Sequence, residues 1–127
     1  MTQFVLDASA LLAVVREEPG AATVIDHMAG AFMSAVNASE AIMRGVEKGF
    51  PFEALRSLII YRQIDVIPFD WNLSLMAASL RPATKHLGLS FADRACLATA
   101  IREKATALTA DRSWGGLELP CPIEVIR

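Results

Sequence analysis

Apolar residues run almost without a break through FVLDASALLAVV (residues 4–15), and shorter apolar runs recur at AFMSAV (31–36), QIDVIPF (63–69), ATALTA (105–110) and IEVI (123–126). Short runs of this kind, bounded by Gly, Pro, Asn or Asp, are the pattern of strands buried on both faces. The pattern predicts a first strand over QFVL (3–6) and then strands over 31–36, 63–69, 105–110 and 123–126, the last following Pro120 and Pro122. Between them the apolar positions recur at helical spacing. A helix is expected over ASALLAVVREE (8–18), stopped by Pro19-Gly20, and another over AATVIDHM (21–28), giving way at Gly30. NASEAIMRGVEKG (37–49) reads as a helix with Asn37 at its N-cap and Gly49 past its end, and PFEALRSLIIYR (51–62) as one that opens at Pro51. Asp70 caps a helix over WNLSLMAASL (71–80) that must bend or stop at Pro82, and a short helical segment reaches His86 and ends at Gly88. Ser90 opens the last helix, FADRACLATAIREK (91–104).

Strands alternating with helices imply an α/β architecture, with a mainly parallel sheet of four to five strands covered on both faces. At 127 residues, 54% hydrophobic and 20% charged, with no linker, repeat or biased stretch, one globular domain over 1–127 is expected. No basic flank precedes the N-terminal apolar run, Asp7 interrupts it, and nothing approaches the ~18 apolar residues a membrane span needs. A cytoplasmic protein without membrane association is the expectation. Cys96 and Cys121 form neither a CxxC pair nor a secreted framework, so neither a disulfide nor a zinc site is expected.

Asp7 is the residue out of place. A carboxylate at the end of a buried strand needs a partner, because alone it would take up a proton. In an open parallel sheet, ligands bind outside the carboxyl ends of the strands. Asp7 follows the first strand, Asp111 the fourth, and Glu40 lies in the first turn of the helix after the second, so the three face one rim. Asp93 joins them if its helix starts there. Helix capping competes as an explanation for two of these acids: Asn37-x-x-Glu40 and Ser90-x-x-Asp93 both have capping-box spacing. Carboxylates gathered at one rim repel, by about 4 kcal/mol for two charges ~4 Å apart at an effective dielectric near 20. A shared divalent cation reverses that sign. All-oxygen ligation without His or Cys points to Mg²⁺, with Mn²⁺ as an alternative, and such ions serve phosphodiester hydrolysis through a metal-activated water.

The net charge of −2 is not by itself that of a nucleic-acid binder. With those four acids set aside, ten remain against 12 Lys and Arg, and the rest of the molecule is mildly basic. Ser9 and Asn37 are placed to support the acids, by bonding an acidic side chain or a metal-bound water. Arg94 and Arg112 each follow a site acid and are candidates to hold a substrate phosphate. His27 and His86 stand alone, no Ser or Cys has a convincing base, and no Gly-rich phosphate loop is present.

The motifs VLDASALLA, SAVNASEA, RPATKHLGLSFADRACLATA and ALTADRSW, in this order, resemble those of the PIN-domain ribonucleases, and within them the VapC toxins of bacterial toxin–antitoxin pairs. The resemblance runs over the whole chain. It implies a parallel α/β/α sandwich and an endoribonuclease in which Asp7, Glu40, Asp93 and Asp111 form an acidic pocket for one or two Mg²⁺ or Mn²⁺ ions. It further implies an RNA substrate, a cognate antitoxin protein that blocks the site, and homodimers. An apolar groove among the helices after the first and second strands would suit an amphipathic partner helix. A receiver domain and an Asp-x-Asp phosphatase both fit the length, but the first lacks its acidic pair after the first strand and the second its second aspartate. The alternative function is a PIN-fold module that binds RNA or protein without cutting.

Overall fold

The computed structural model describes residues 3–127. Its five strands are β1 (Phe4–Leu6), β2 (Phe32–Ser34), β3 (Asp65–Ile67), β4 (Thr106–Thr109) and β5 (Ile123–Val125). They form one all-parallel sheet in the order β3-β2-β1-β4-β5. The seven α-helices are α1 (Ala8–Val15), α2 (Ala21–Met28), α3 (Ala35–Glu47), α4 (Phe52–Tyr61), α5 (Trp71–Ser79), α6 (Arg81–Thr84) and α7 (Phe91–Glu103), with 3-10 turns at Lys85–Leu87 and Arg112–Gly116. None of these helices is long and apolar enough to cross a membrane.

The period-two geometry of a strand explains how strands of three or four residues hold two cores. Leu6, Met33 and Leu108 point to one face, packing with Leu11, Val24, Met28, Ala38 and Ile59 of α1 to α4. Val5 and Ala107 point to the other, beneath Leu73, Leu97 and Trp114. The sheet is thus covered on both sides, which is why its strands read as continuous apolar runs. β1 is central, with Val5 opposite both Phe32 and Ala107. The chain builds outward from β1 through β2 to β3, then returns to place β4 on its other side. The carboxyl ends of β1 and β4 therefore flank the point where the winding reverses, the position at which open parallel sheets present a crevice.

Two boundaries differ from the sequence expectation for local reasons. The strand expected over 31–36 stops at Ser34, whose hydroxyl accepts the Val36 N–H and caps α3. Asn37 is therefore not the N-cap but an inward-facing residue of the first turn, and Glu40 lies in the second turn rather than the first. The capping box expected from Asn37 to Glu40 does not form. The helix expected over 8–18 ends at Val15: Glu18 N–H reaches Ala13 O at 2.8 Å and Glu17 N–H reaches Val14 O at 3.3 Å. That pair of bonds closes the helix in a Schellman motif with Glu17 at φ 52°, so the helix stops before Pro19 is reached.

Gly20 is indispensable in the turn that follows. It sits at φ 94°, and a Cβ on it would lie 2.5 Å from Ile126 O. This close approach brings the end of the chain against the α1–α2 connection, where Arg127 pairs with Glu18 at 3.6 Å.

Candidate active site

Asp7 is the N-cap residue of α1 by backbone geometry, yet its side chain makes no capping bond. It turns instead toward β4. Oδ2 accepts the Ser9 hydroxyl at 2.6 Å and the Thr109 hydroxyl at 2.9 Å. Both hydroxyls are themselves held, since Ser9 Oγ accepts the Ala110 N–H at 2.9 Å and Thr109 Oγ1 accepts the Asp111 N–H at 3.0 Å. The two strand ends are thereby stitched together through one carboxylate oxygen. The other oxygen, Oδ1, is buried and finds no hydrogen-bond partner among the described residues. Asp7 is 3% exposed, and its carboxyl pKa is raised from 3.8 to about 6. Burial is the main cause and the Asp93 charge adds to it, while the Ser9 and Thr109 hydroxyls oppose it.

The other predicted acids stand around this one in a cleft of about 360 Å³ lined by Asp7, Ser9, Glu40, Asp93 and Asp111, with Arg44 and Arg127 also on its wall. Asp93 belongs to a complete capping box: its carboxylate accepts the Ser90 N–H at 2.9 Å while Ser90 Oγ accepts the Asp93 N–H at 3.1 Å. α7 does begin at the rim. Asp111 opens the 3-10 turn after β4 and accepts both the backbone N–H and the hydroxyl of Ser113, at 3.0 and 2.8 Å. Glu40 pairs with Arg44 one turn along α3, at 3.4 Å.

Asn37 does not line the cleft. It is fully buried, and its amide donates to Ala92 O at 2.9 Å, tying α3 to the first turn of α7 beside Asp93. Its Oδ1 is also without a partner among the described residues. Neither predicted arginine reaches the cleft: Arg94 donates to Ala77 O on α5 at 3.4 Å, and Arg112 to the Arg127 carbonyl at 3.3 Å. Arg44, Arg127 and Thr109 are the site residues that sequence reasoning missed. Thr109 had a legible signal, a hydroxyl at the end of an apolar strand. Arg44 had one as well, standing four residues after Glu40 on an expected helix, whereas Arg127 had none, because only packing brings it to the rim.

The donor set suits a hard divalent cation: carboxylate oxygens only, one of them desolvated and unbonded. The carboxylates do not converge, however, for no group of three His, Cys, Asp or Glu among the described residues stands close enough to hold an ion. Glu40 engages Arg44 and Asp93 caps α7, so ion binding requires side-chain rotation within the cleft.

A sequence profile of the PIN domain matches residues 4–116. No curated protein matches the sequence significantly. Among solved structures, VapBC2 of Rickettsia felis, bound to a DNA fragment from its promoter, is similar over 99% of this chain and 100% of that one, with a TM-score of 0.72 and 18% identity. A toxin–antitoxin complex from Klebsiella pneumoniae gives 0.75 over 95% and 100% at 16% identity. VapC20 of Mycobacterium tuberculosis, a toxin that cleaves the sarcin–ricin loop, gives 0.68 over 91% and 97% at 15% identity.

Proposed function

The chain belongs to the PIN domain family, and on that premise we propose that it is a divalent-metal-dependent endoribonuclease acting as the toxin of a toxin–antitoxin pair. The observation that carries the reading is Asp7: a buried carboxylate with one oxygen held by two hydroxyls and the other unbonded, facing a cleft of further acids. A carboxylate needed only for structure would be satisfied on both oxygens or replaced by a neutral residue. Asp7, Glu40 and Asp93 would hold Mg²⁺ or Mn²⁺, with Asp111 at the margin. When bound, the ion supplies Lewis-acid polarisation of a phosphoryl oxygen and a lowered pKa for a water.

The chain's own residues do the positioning. Ser9 and Thr109 hold the Asp7 carboxylate through Oδ2 and leave Oδ1 without a bond among the described residues. Asn37 pins the first turn of α7, and with it Asp93, to α3. RNA is the substrate the family fold favours, and similar structures were solved as toxin–antitoxin complexes. An exposed apolar strip of Met43, Val46 and Phe52 between α3 and α4 suits an amphipathic antitoxin helix, and a second copy of the chain would complete the homodimer.

The test is cleavage of RNA by the purified protein with Mg²⁺ and with EDTA, in the parent and in Asp7→Asn and Asp93→Asn. Cleavage should require the ion and be lost in both variants while circular dichroism is unchanged. Variants that cut as well as the parent would overturn the site. RNA binding without any cutting by the parent would make the protein a non-catalytic binding module instead.

A further inference from the structure

We infer, on the ribonuclease reading above, that Arg16, Arg44 and Lys48 form a phosphate-binding subsite for the RNA strand beside the acidic cleft, and that Arg44 exchanges Glu40 for that phosphate when the ion is bound. Arg44 lines two clefts at once. One is the acidic cleft; the other, of about 240 Å³, lies between α1 and α3 and is lined by Leu12, Arg16, Arg44, Glu47 and Lys48. A strand laid across the acidic cleft can thus place its reacting phosphate among the carboxylates and a neighbouring phosphate among three cations.

Those cations are lightly committed. Lys48 makes no ion pair among the described residues, and Arg16 reaches Glu18 only at 3.7 Å with both side chains partly in solvent. The Arg44–Glu40 pair, at 3.4 Å, has an arginine side chain 57% exposed. An exposed pair of this type changes an equilibrium only about twofold. Compensation of the helix dipoles accounts for Arg16 at the C-cap of α1 and for Arg44 and Lys48 at the end of α3. It does not account for the two clefts meeting at the residue that holds a site carboxylate.

Glu40 cannot serve both partners freely. While Arg44 holds it, the acids do not converge into an ion site. An ion that draws Glu40 inward leaves Arg44 as a free cation at the boundary of the basic cleft, where a phosphate takes it. Binding of the ion and of RNA must then be mutually favourable, because each releases what the other needs. An acidic protein segment would also be attracted to the basic cleft, but Arg44, which also lines the acidic cleft where the scissile strand must lie, favours RNA.

The experiment uses the full chain and two binding measurements: calorimetric titration with Mn²⁺ alone, and fluorescence anisotropy of a short single-stranded oligoribonucleotide in EDTA and again with Ca²⁺ in place of Mn²⁺. Arg44→Gln should bind Mn²⁺ about twofold more tightly and, with the ion present, RNA several-fold more weakly, with the salt dependence of RNA binding reduced by about one phosphate contact. Arg44→Lys should keep that salt dependence. The double variant Arg16→Gln/Lys48→Gln should weaken RNA binding further and leave Mn²⁺ affinity unchanged. Unchanged Mn²⁺ affinity in Arg44→Gln overturns the exchange, and unchanged RNA affinity in the double variant overturns the subsite and leaves the basic cleft to an acidic protein segment. A parent that neither binds Mn²⁺ nor cuts RNA would instead remove the ribonuclease reading itself, and the inference with it.

Discussion

Asp7 and Asp111 each follow a buried strand, and the two strands are hydrogen-bonded neighbours in the sheet. Asp111 is exposed and spends its Oδ1 locally, on the N–H and hydroxyl of Ser113 two residues on. Asp7 is buried and caps nothing with its side chain; Ser9, also two residues on, supplies one hydroxyl, but the second comes from Thr109 on another strand and Oδ1 has no partner among the described residues. Position after a strand is therefore insufficient to assign a role. What separates the two is whether the local chain can satisfy the carboxylate, for one that can be satisfied locally costs little and one that cannot persists only where something else compensates it.

The largest contrast should come from neutralising each acid. Asp7→Asn should reduce cleavage by on the order of 10²–10³-fold or more, and yet stabilise the metal-free fold. The sign follows from the pKa raised from 3.8 to about 6. The folded state binds the proton more tightly than the unfolded one, so this group's stabilising contribution is complete below about pH 4 and is lost as the pH rises through about 6. The variant should gain about 3 kcal/mol over the parent above that range, and the gain should vanish toward pH 4. Thermal unfolding of both proteins in EDTA across pH 4–8 checks this. A gain independent of pH would mean that the carboxylate's burial is not the cause.

Removing a support should be the next largest effect. Thr109→Val takes one of the two hydroxyls from Asp7 Oδ2 and should destabilise the protein by about 1–3 kcal/mol at pH 7.5, with less loss at pH 4 where Asp7 is protonated. Asn37→Ala, which cuts the tie between α3 and α7, should cost about 1–3 kcal/mol with no such pH dependence. Chemical denaturation at the two pH values separates them. The smallest effect is expected for Asp111→Asn: a stability change within about 1 kcal/mol and cleavage lowered by no more than about tenfold. A loss equal to that of Asp7→Asn would show that local satisfaction does not distinguish the two acids.

Much of the fold was legible because the strands are buried on both faces and the helices carry strong punctuation. Ser90 with Asp93, Asp70 before Trp71, and Gly88 after the 3-10 turn mark element ends that the structure keeps. The start of α3 was misread because Val36 and the apolar AFMSAV run favour a strand, whereas Ser34 supplies a cap three residues earlier. With that start, Asn37 is a buried clamp on Ala92 rather than a cap, and Glu40 lies in the second turn rather than the first.

The sequence alone pointed Asp7, Glu40 and Asp111 to one rim, because the carboxyl ends of parallel strands share one edge, and it left Asp93 to depend on where its helix begins. It also singled out Asp7, since a lone charge in an apolar run needs an explanation wherever it lies. Only the tertiary structure decided how those acids are partnered. Pairing of β1 with β4 supplies Thr109, helix packing places Arg44 at the junction of two clefts, and the close approach at Gly20 brings Arg127 to the wall. These are contacts between residues distant in the chain, and neither local propensity nor hydrophobic period carries information about which side chain meets which across a packed interface.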